Sequence, residues 1–269
     1  MTLPPVIWKP SPNFWKGPSG YPTKAIVNHR IVGTLTSARD RFMNPTSNAS
    51  SHFGIGHNEQ GKLVIWQFVA LDDSAWTNGD VRDPTWPGLI PNVNPNLYTW
   101  TIEHEDGGAA NRGVVTEEIW QASMDLQVIL ASGDPAKIRA AGVTVRNDSV
   151  ARDGADIPRD KTGFIDHHQI SGPNKPYCWR PWLDDPGFVN GSPSRRDQLL
   201  AALNALPAEE PADSLSPLEL CHKRLGRVRA KNADLLAQVE ELEKEAARVP
   251  RLLRRIRAIK ELAAQIQEE

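Results

Sequence analysis

The sequence predicts an α/β domain, a sheet with helices packed on it, followed by a C-terminal α-helical coiled-coil segment. Three observations carry that reading. Short runs rich in β-branched and aromatic residues alternate with helix signals through the first 206 residues. All nine tryptophans lie at or before Trp182. Beyond about residue 217 the chain is almost wholly Leu, Ala, Arg, Lys, Glu and Gln, with apolar residues returning in a seven-residue rhythm.

Taken in order, strands are predicted over residues 24–31, 52–56, 63–69 and 98–105, each bounded by turn formers. The loop 77–96, rich in Gly, Pro and Asn, is read as one wall of a loop-built cleft. Thr116-Glu-Glu-Ile places an N-cap hydroxyl and two first-turn carboxylates ahead of Trp120, Met124, Val128 and Leu130, which recur at helical spacing. A second helix is expected over 194–206. Alternating strands and helices argue for the α/β class.

The segment from Pro207 to Pro217 carries three prolines and is too polar to pack, so it reads as a linker. The expected organisation is therefore a domain over 1–206, a linker over 207–216 and a helical tail over 217–269. In the tail, Leu218, Leu225, Asn232, Val239, Ala246 and Leu253 take heptad position a, while Cys221, Val228, Leu235, Leu242, Val249 and Ile256 take d. Asn232 is the kind of polar residue at an a position that sets register and favours two strands. Pro250 interrupts the pattern, and Leu252, Ile256, Ile259, Ala263 and Ile266 resume it in a shifted phase. The tail reads as a bent coiled coil or a helical hairpin, with an amphipathic helix lying on its own domain as the simpler alternative. From Pro217 onward there are 12 Lys/Arg against 9 Asp/Glu, and the basic residues concentrate after Pro250. Self-association into a homo-oligomer is the expectation for the heptad, and weak contact with an anionic envelope is the expectation for the basic end.

Composition narrows the function classes. The chain is 269 residues long, 39% hydrophobic and 24% charged, with a net charge of −2, which argues against a dedicated nucleic-acid binder. No stretch of about 18 apolar residues is present, so no membrane-spanning helix is expected. The first ten residues hold three prolines and no apolar h-region, which leads to the expectation of cytoplasmic synthesis without a cleaved signal. Two cysteines, Cys178 and Cys221, are too few for a disulfide framework and turn attention to metal or catalytic roles.

A catalytic zinc keeps three protein ligands, drawn from imidazole, thiolate and carboxylate, and one open position. His29 ends the apolar run Ala25-Ile-Val-Asn-His, where a strand could hold its ring at a cleft edge. His167 and Cys178 lie in Phe164-Ile-Asp-His-His-Gln-Ile-Ser-Gly-Pro-Asn-Lys-Pro-Tyr-Cys-Trp, read as a Gly/Pro-rich loop able to bring both side chains to one ion. On a strand, Glu103 and Glu105 fall on the same face, so spacing alone does not choose a general base between them.

Five motifs then occur in a telling order: Lys24-Ala-Ile-Val-Asn-His; Ser51-His-Phe-Gly-Ile-Gly with Gly61-Lys-Leu-Val-Ile-Trp-Gln-Phe-Val; Ala75-Trp-Thr-Asn-Gly; Asn94-Pro-Asn-Leu-Tyr-Thr-Trp-Thr-Ile-Glu-His-Glu-Asp-Gly; and the His167–Cys178 loop. Over roughly residues 5–190 the chain resembles the zinc N-acetylmuramoyl-L-alanine amidases, a family that includes phage endolysins, bacterial wall enzymes and the peptidoglycan recognition proteins. The resemblance implies a mixed central β-sheet flanked by helices, with one Zn2+ per chain in a groove that accepts the stem peptide and glycan of bacterial peptidoglycan. It implies His29, His167 and Cys178 as ligands, with His167 preferred to His168. It also implies Glu103 as general base for a zinc-activated water, Lys175 at the developing oxyanion, and Ser51, His52, Trp76 and Thr77 as substrate contacts.

Three departures from the family pattern stand out. Ser51 occupies the place of a tyrosine used in catalysis by many members, Thr77 stands where many have histidine, and Lys175 lies one residue farther from Cys178 than is usual. The expected activity is cleavage of the amide between N-acetylmuramic acid and L-alanine, in an endolysin that reaches the wall through a holin pore. The alternatives are a cytoplasmic wall-recycling amidase and a non-catalytic peptidoglycan-binding module; Cys178 favours hydrolysis over the latter.

Overall fold

Residues 25–31 form a strand paired on both sides, and its first three residues, Ala25, Ile26 and Val27, are apolar and fully buried, as a parallel strand with both faces covered favours. In the computed structural model, which describes residues 3–17, 19–79, 86–107, 114–145, 154–171 and 193–205, six strands form one mixed sheet. These are β1 (Val6–Trp8), β3 (Ala25–Ile31), β4 (Phe53–His57), β5 (Leu63–Gln67), β7 (Thr99–Glu105) and β8 (Phe164–Asp166), in the order β1-β5-β4-β7-β3-β8. β4 and β5 pair antiparallel; the other neighbours in this sheet are parallel. A separate ribbon joins β2 (Phe14–Trp15) to β6 (Ser74–Ala75).

Helices cover both faces. α2 (Glu117–Leu130) packs Ile119, Trp120 and Leu126 on Ile26, Phe53, Trp100 and Ile102, all essentially inaccessible to water. Burial of apolar side chains of this size stabilises by roughly 1.5–3 kcal/mol each. α1 (Leu35–Met43) lies on the opposite face, where Leu35, Ala38 and Phe42, spaced three and four residues apart, meet Val64, Trp66 and Phe68. The helix comes so close that a Cβ on Gly54 would sit 2.6 Å from Leu35 Cδ1. Shorter helices α3 (Pro135–Ala140) and α4 (His168–Ser171) follow, and α5 (Arg195–Asn204) buries Leu199 and Leu203 in the α2 layer.

The four expected strands are present with ends shifted by at most two residues, and so are the helices expected after Thr116 and after Ser194. The Thr116 hydroxyl, read as a cap, makes no capping hydrogen bond; it is buried at the N-cap position while Glu117 and Glu118 occupy the first turn. The segment 164–171 was expected as loop, but is a strand followed by a helical turn, because Phe164–Asp166 adds to the open edge of β3. By internal contacts the chain divides into Met1–Pro207 and Ala208–Glu269. The coiled coil expected with Asn232 at its register position falls in the second unit, which lies outside the described residues.

Candidate active site

β3 and β7 run parallel in a register that sets His29 beside Glu103. Their side chains therefore leave the same face of the sheet, toward the ends of the strands, where α/β proteins place ligands. His29 Nδ1 lies 3.8 Å from Glu103 Oε1. On the other flank of β3, the backbone N–H of His167 donates to the Asn28 carbonyl at 3.1 Å, continuing the ladder one residue past β8. That bond brings the His167 ring to 4.0 Å from the His29 ring, centroid to centroid, with both residues 2% exposed. His29, His167 and Glu103 open into a cleft of about 500 Å³, walled by α1 and the segment after it through Arg41, Ser47 and Ser50.

Two glutamates on one strand face thus meet different surroundings. Glu103 lines the cleft, whereas Glu105 accepts hydrogen bonds from Leu35 N at 2.6 Å and His57 N at 3.3 Å, and its other oxygen lies 2.8 Å from His57 Nδ1. Glu105 therefore fastens the start of α1 and the end of β4. Burial by itself would lower the His57 imidazole, but the hydrogen bonds and charges of Glu105 and Glu118 outweigh it and raise its pKa above the ordinary value.

The expected substrate contacts divide. Trp76 and Thr77 line the cleft, Trp76 with its ring 5.7 Å from that of the exposed Trp15. Ser51 and His52, the other two expected contacts, are both 0% exposed and are not among the residues lining this cleft. Ser51 Oγ donates to the Thr101 carbonyl at 3.0 Å, and the His52 ring is held between Thr101 Oγ1 and the Asp73 carbonyl. His168 opens α4, next to His167, and does not line the cleft. Lys175 and Cys178 lie outside the described residues. Among the described residues no group of three or more His, Cys, Asp or Glu is placed to hold a metal ion, and the third expected ligand is not among them.

Sequence reasoning missed Asn78, which lies against both imidazoles. His29 Nε2 is 3.3 Å from its Oδ1, and His167 Nε2 is 3.0 Å from its backbone carbonyl. Its signal was adjacency to Trp76 and Thr77 in a motif already singled out. Also missed was the support behind β3. His104, facing α2, has Nδ1 2.7 Å from the His29 carbonyl and Nε2 2.7 Å from Ser123 Oγ. Gln127 Nε2 donates to the same Ser123 oxygen, and Asn28 Nδ2 donates to Gln127 Oε1. Because a carbonyl only accepts, His104 carries its proton on Nδ1, and the Ser123 hydroxyl donates to Nε2. Complete burial, with smaller contributions from Arg195 and Arg30, lowers the His104 pKa to about 3 despite the bond to the His29 carbonyl. This neutral polar chain ties the strand carrying His29 to α2.

A family profile described as N-acetylmuramoyl-L-alanine amidase matches residues 19–178. No curated protein matches the chain in sequence. Among solved structures, a selenomethionine AmpD derivative aligns with a TM-score of 0.44 at 16% identity, over 74% of this chain and 99% of its own. A mutant endolysin from Bacillus subtilis aligns at 0.41 and 18% identity, over 75% and 99%. The Staphylococcus aureus hydrolase AmiA, solved in complex with its ligand, aligns at 0.40 and 16% identity, over 76% and 83%.

Proposed function

The chain belongs to the N-acetylmuramoyl-L-alanine amidase family, and on that premise we propose that it hydrolyses the amide joining N-acetylmuramic acid to L-alanine in peptidoglycan. The carrying observation is the convergence of His29, His167 and Glu103 in one cleft, although they come from three separate strands or strand ends. Two neighbouring imidazoles supply two of the three protein ligands a hydrolytic zinc site uses, which supports the metal reading. His29 and His167 would hold it with Cys178 as third ligand. Bound there, zinc supplies Lewis-acid polarisation of the scissile carbonyl.

The chain's own groups divide the remaining work. Glu103, half-buried beside His29, takes the proton of the attacking water and returns it to the leaving nitrogen, so that the products are a muramyl carboxylate and a free L-alanine amine. Lys175 would stabilise the oxyanion, and Trp76 and Thr77 would contact the substrate where they line the cleft wall. The heptad tail supports an endolysin acting on polymeric wall after release through a holin, because self-association multiplies weak contacts with a repeating polymer.

The test is direct. Purified protein is incubated with purified sacculi, with and without chelator, and newly freed L-alanine amino termini are quantified. Release that stops on chelation and returns with zinc is the expected result. No release from sacculi or from soluble muropeptides by zinc-loaded protein refutes the proposal.

A further inference from the structure

Asn78 touches both imidazoles, and its own hydrogen bonds dictate what those rings must present. The residue is 0% exposed. Its Nδ2 donates to Thr99 Oγ1 at 3.0 Å, and the Thr99 hydroxyl in turn donates to the Pro95 carbonyl at 2.8 Å. With its one proton directed to Pro95, the Thr99 oxygen can only accept, which fixes the orientation of the Asn78 amide. Asn78 Oδ1 therefore faces His29, and an oxygen acceptor there requires a proton on His29 Nε2. The same logic holds on the other side: the Asn78 backbone carbonyl requires a proton on His167 Nε2. Both neutral rings then carry their lone pair on Nδ1, the nitrogen that on His29 faces Glu103.

We propose that Asn78 is a positioning residue that fixes the tautomer and ring orientation of His29 and His167, so that both offer Nδ1 to a single zinc ion. The inference rests on the metal reading above. Histidine ligands generally donate their second N–H to a carbonyl or carboxylate, and loss of that partner typically weakens metal binding or activity by about 10–100-fold. Here one residue serves both rings, through its side chain on one and its main chain on the other. The Asn78 backbone is itself fastened, since the N–H groups of Thr77 and Asn78 both donate to Asn96 Oδ1.

The division between side chain and main chain makes the proposal testable within one molecule. Nitrogen-detected imidazole spectra of the metal-free protein are expected to show His29 and His167 as Nε2–H tautomers. In Asn78→Leu, His29 should lose that preference while His167 keeps it, and zinc affinity measured by chelator competition should fall about 10–100-fold. Asn78→Asp, which retains the oxygen acceptor, should recover most of the affinity. Thr99→Val is the second variant should Asn78→Leu not fold; by freeing the amide to rotate, it should also weaken zinc binding. Zinc affinity within twofold of wild type in the folded variants, with only the melting temperature lowered, would overturn the proposal and leave Asn78 a structural residue. A wild-type protein that binds no zinc would instead overturn the metal reading, and this inference with it.

Discussion

Exchange of Glu103 and Glu105 for glutamine, one at a time, separates chemistry from architecture at two positions on the same strand face. Glu105 is 8% exposed as a residue and accepts from Leu35 N at 2.6 Å and His57 N at 3.3 Å, with His57 Nδ1 2.8 Å from its second oxygen. Glutamine preserves its volume and one acceptor oxygen but removes the charge and presents an NH2 where one acceptor stood. Loss of one charge-assisted hydrogen bond costs about 1.5–3 kcal/mol. In a domain of this size that lowers Tm by roughly 3–12 °C. Glu103 lines the cleft, with His29 Nδ1 3.8 Å from its Oε1, so Glu103→Gln should cost less stability than Glu105→Gln. Its expected cost is instead a fall in kcat of about 10²–10⁴ with zinc and wall binding retained. The assays are thermal melts followed by circular dichroism and release of L-alanine amino termini from sacculi at a temperature where both variants are folded. Near-normal turnover in Glu103→Gln, or a folded Glu105→Gln with the larger loss of kcat, would refute the division of roles.

Further outcomes follow from other parts of the molecule. His57 has a raised pKa, so its contribution to stability is fully present below the unfolded value near 6.5 and is lost as pH rises through the higher folded value. Urea unfolding of wild type and His57→Gln should therefore show a wider gap at about pH 5.5 than at about pH 9; an equal gap contradicts the pairing with Glu105 and Glu118. A Cβ on Gly56 would lie 2.6 Å from Glu105 Cβ and 2.7 Å from its Oε2. Gly56→Ala should thus destabilise by about 1–3 kcal/mol through displacement of Glu105, measured as a shift in urea midpoint. Deletion of residues 217–269 should leave turnover of soluble muropeptides unchanged, while light scattering changes from a dimer or larger to a monomer and activity on whole sacculi falls. A monomeric full-length protein would refute self-association through the heptad.

Much of this protein was written locally. Alternation and apolar runs marked β3, β4, β5 and β7, because β-branched and aromatic residues suit a pleated, buried surface. The order of the motifs pointed to the family, and His29 at the end of an apolar run placed an imidazole at a cleft edge. The pattern of α1 was also present, with Thr34 capping and Leu35, Ala38 and Phe42 on one face, but the charged residues between them masked it. Strands of two or three residues, such as β2 and β8, are too short to establish a period, and only partners distant in the chain make them strands.

What tertiary structure alone decided was the division of labour among chemically identical groups. Glu103 and Glu105 share a face and a spacing, yet one meets the N-terminus of α1 and the other an open cleft. Ser51 and His52 stand in a motif associated with substrate but are turned into the sheet by Thr101, fifty and forty-nine residues away along the chain. Asn78 gained significance only when β3 and the end of β8 brought two histidines against it. The physical reason is common to all three. Period and propensity are properties of neighbours in sequence, whereas the reach of a carboxylate, the proton on an imidazole and the burial of a hydroxyl are set by partners that only folding brings near.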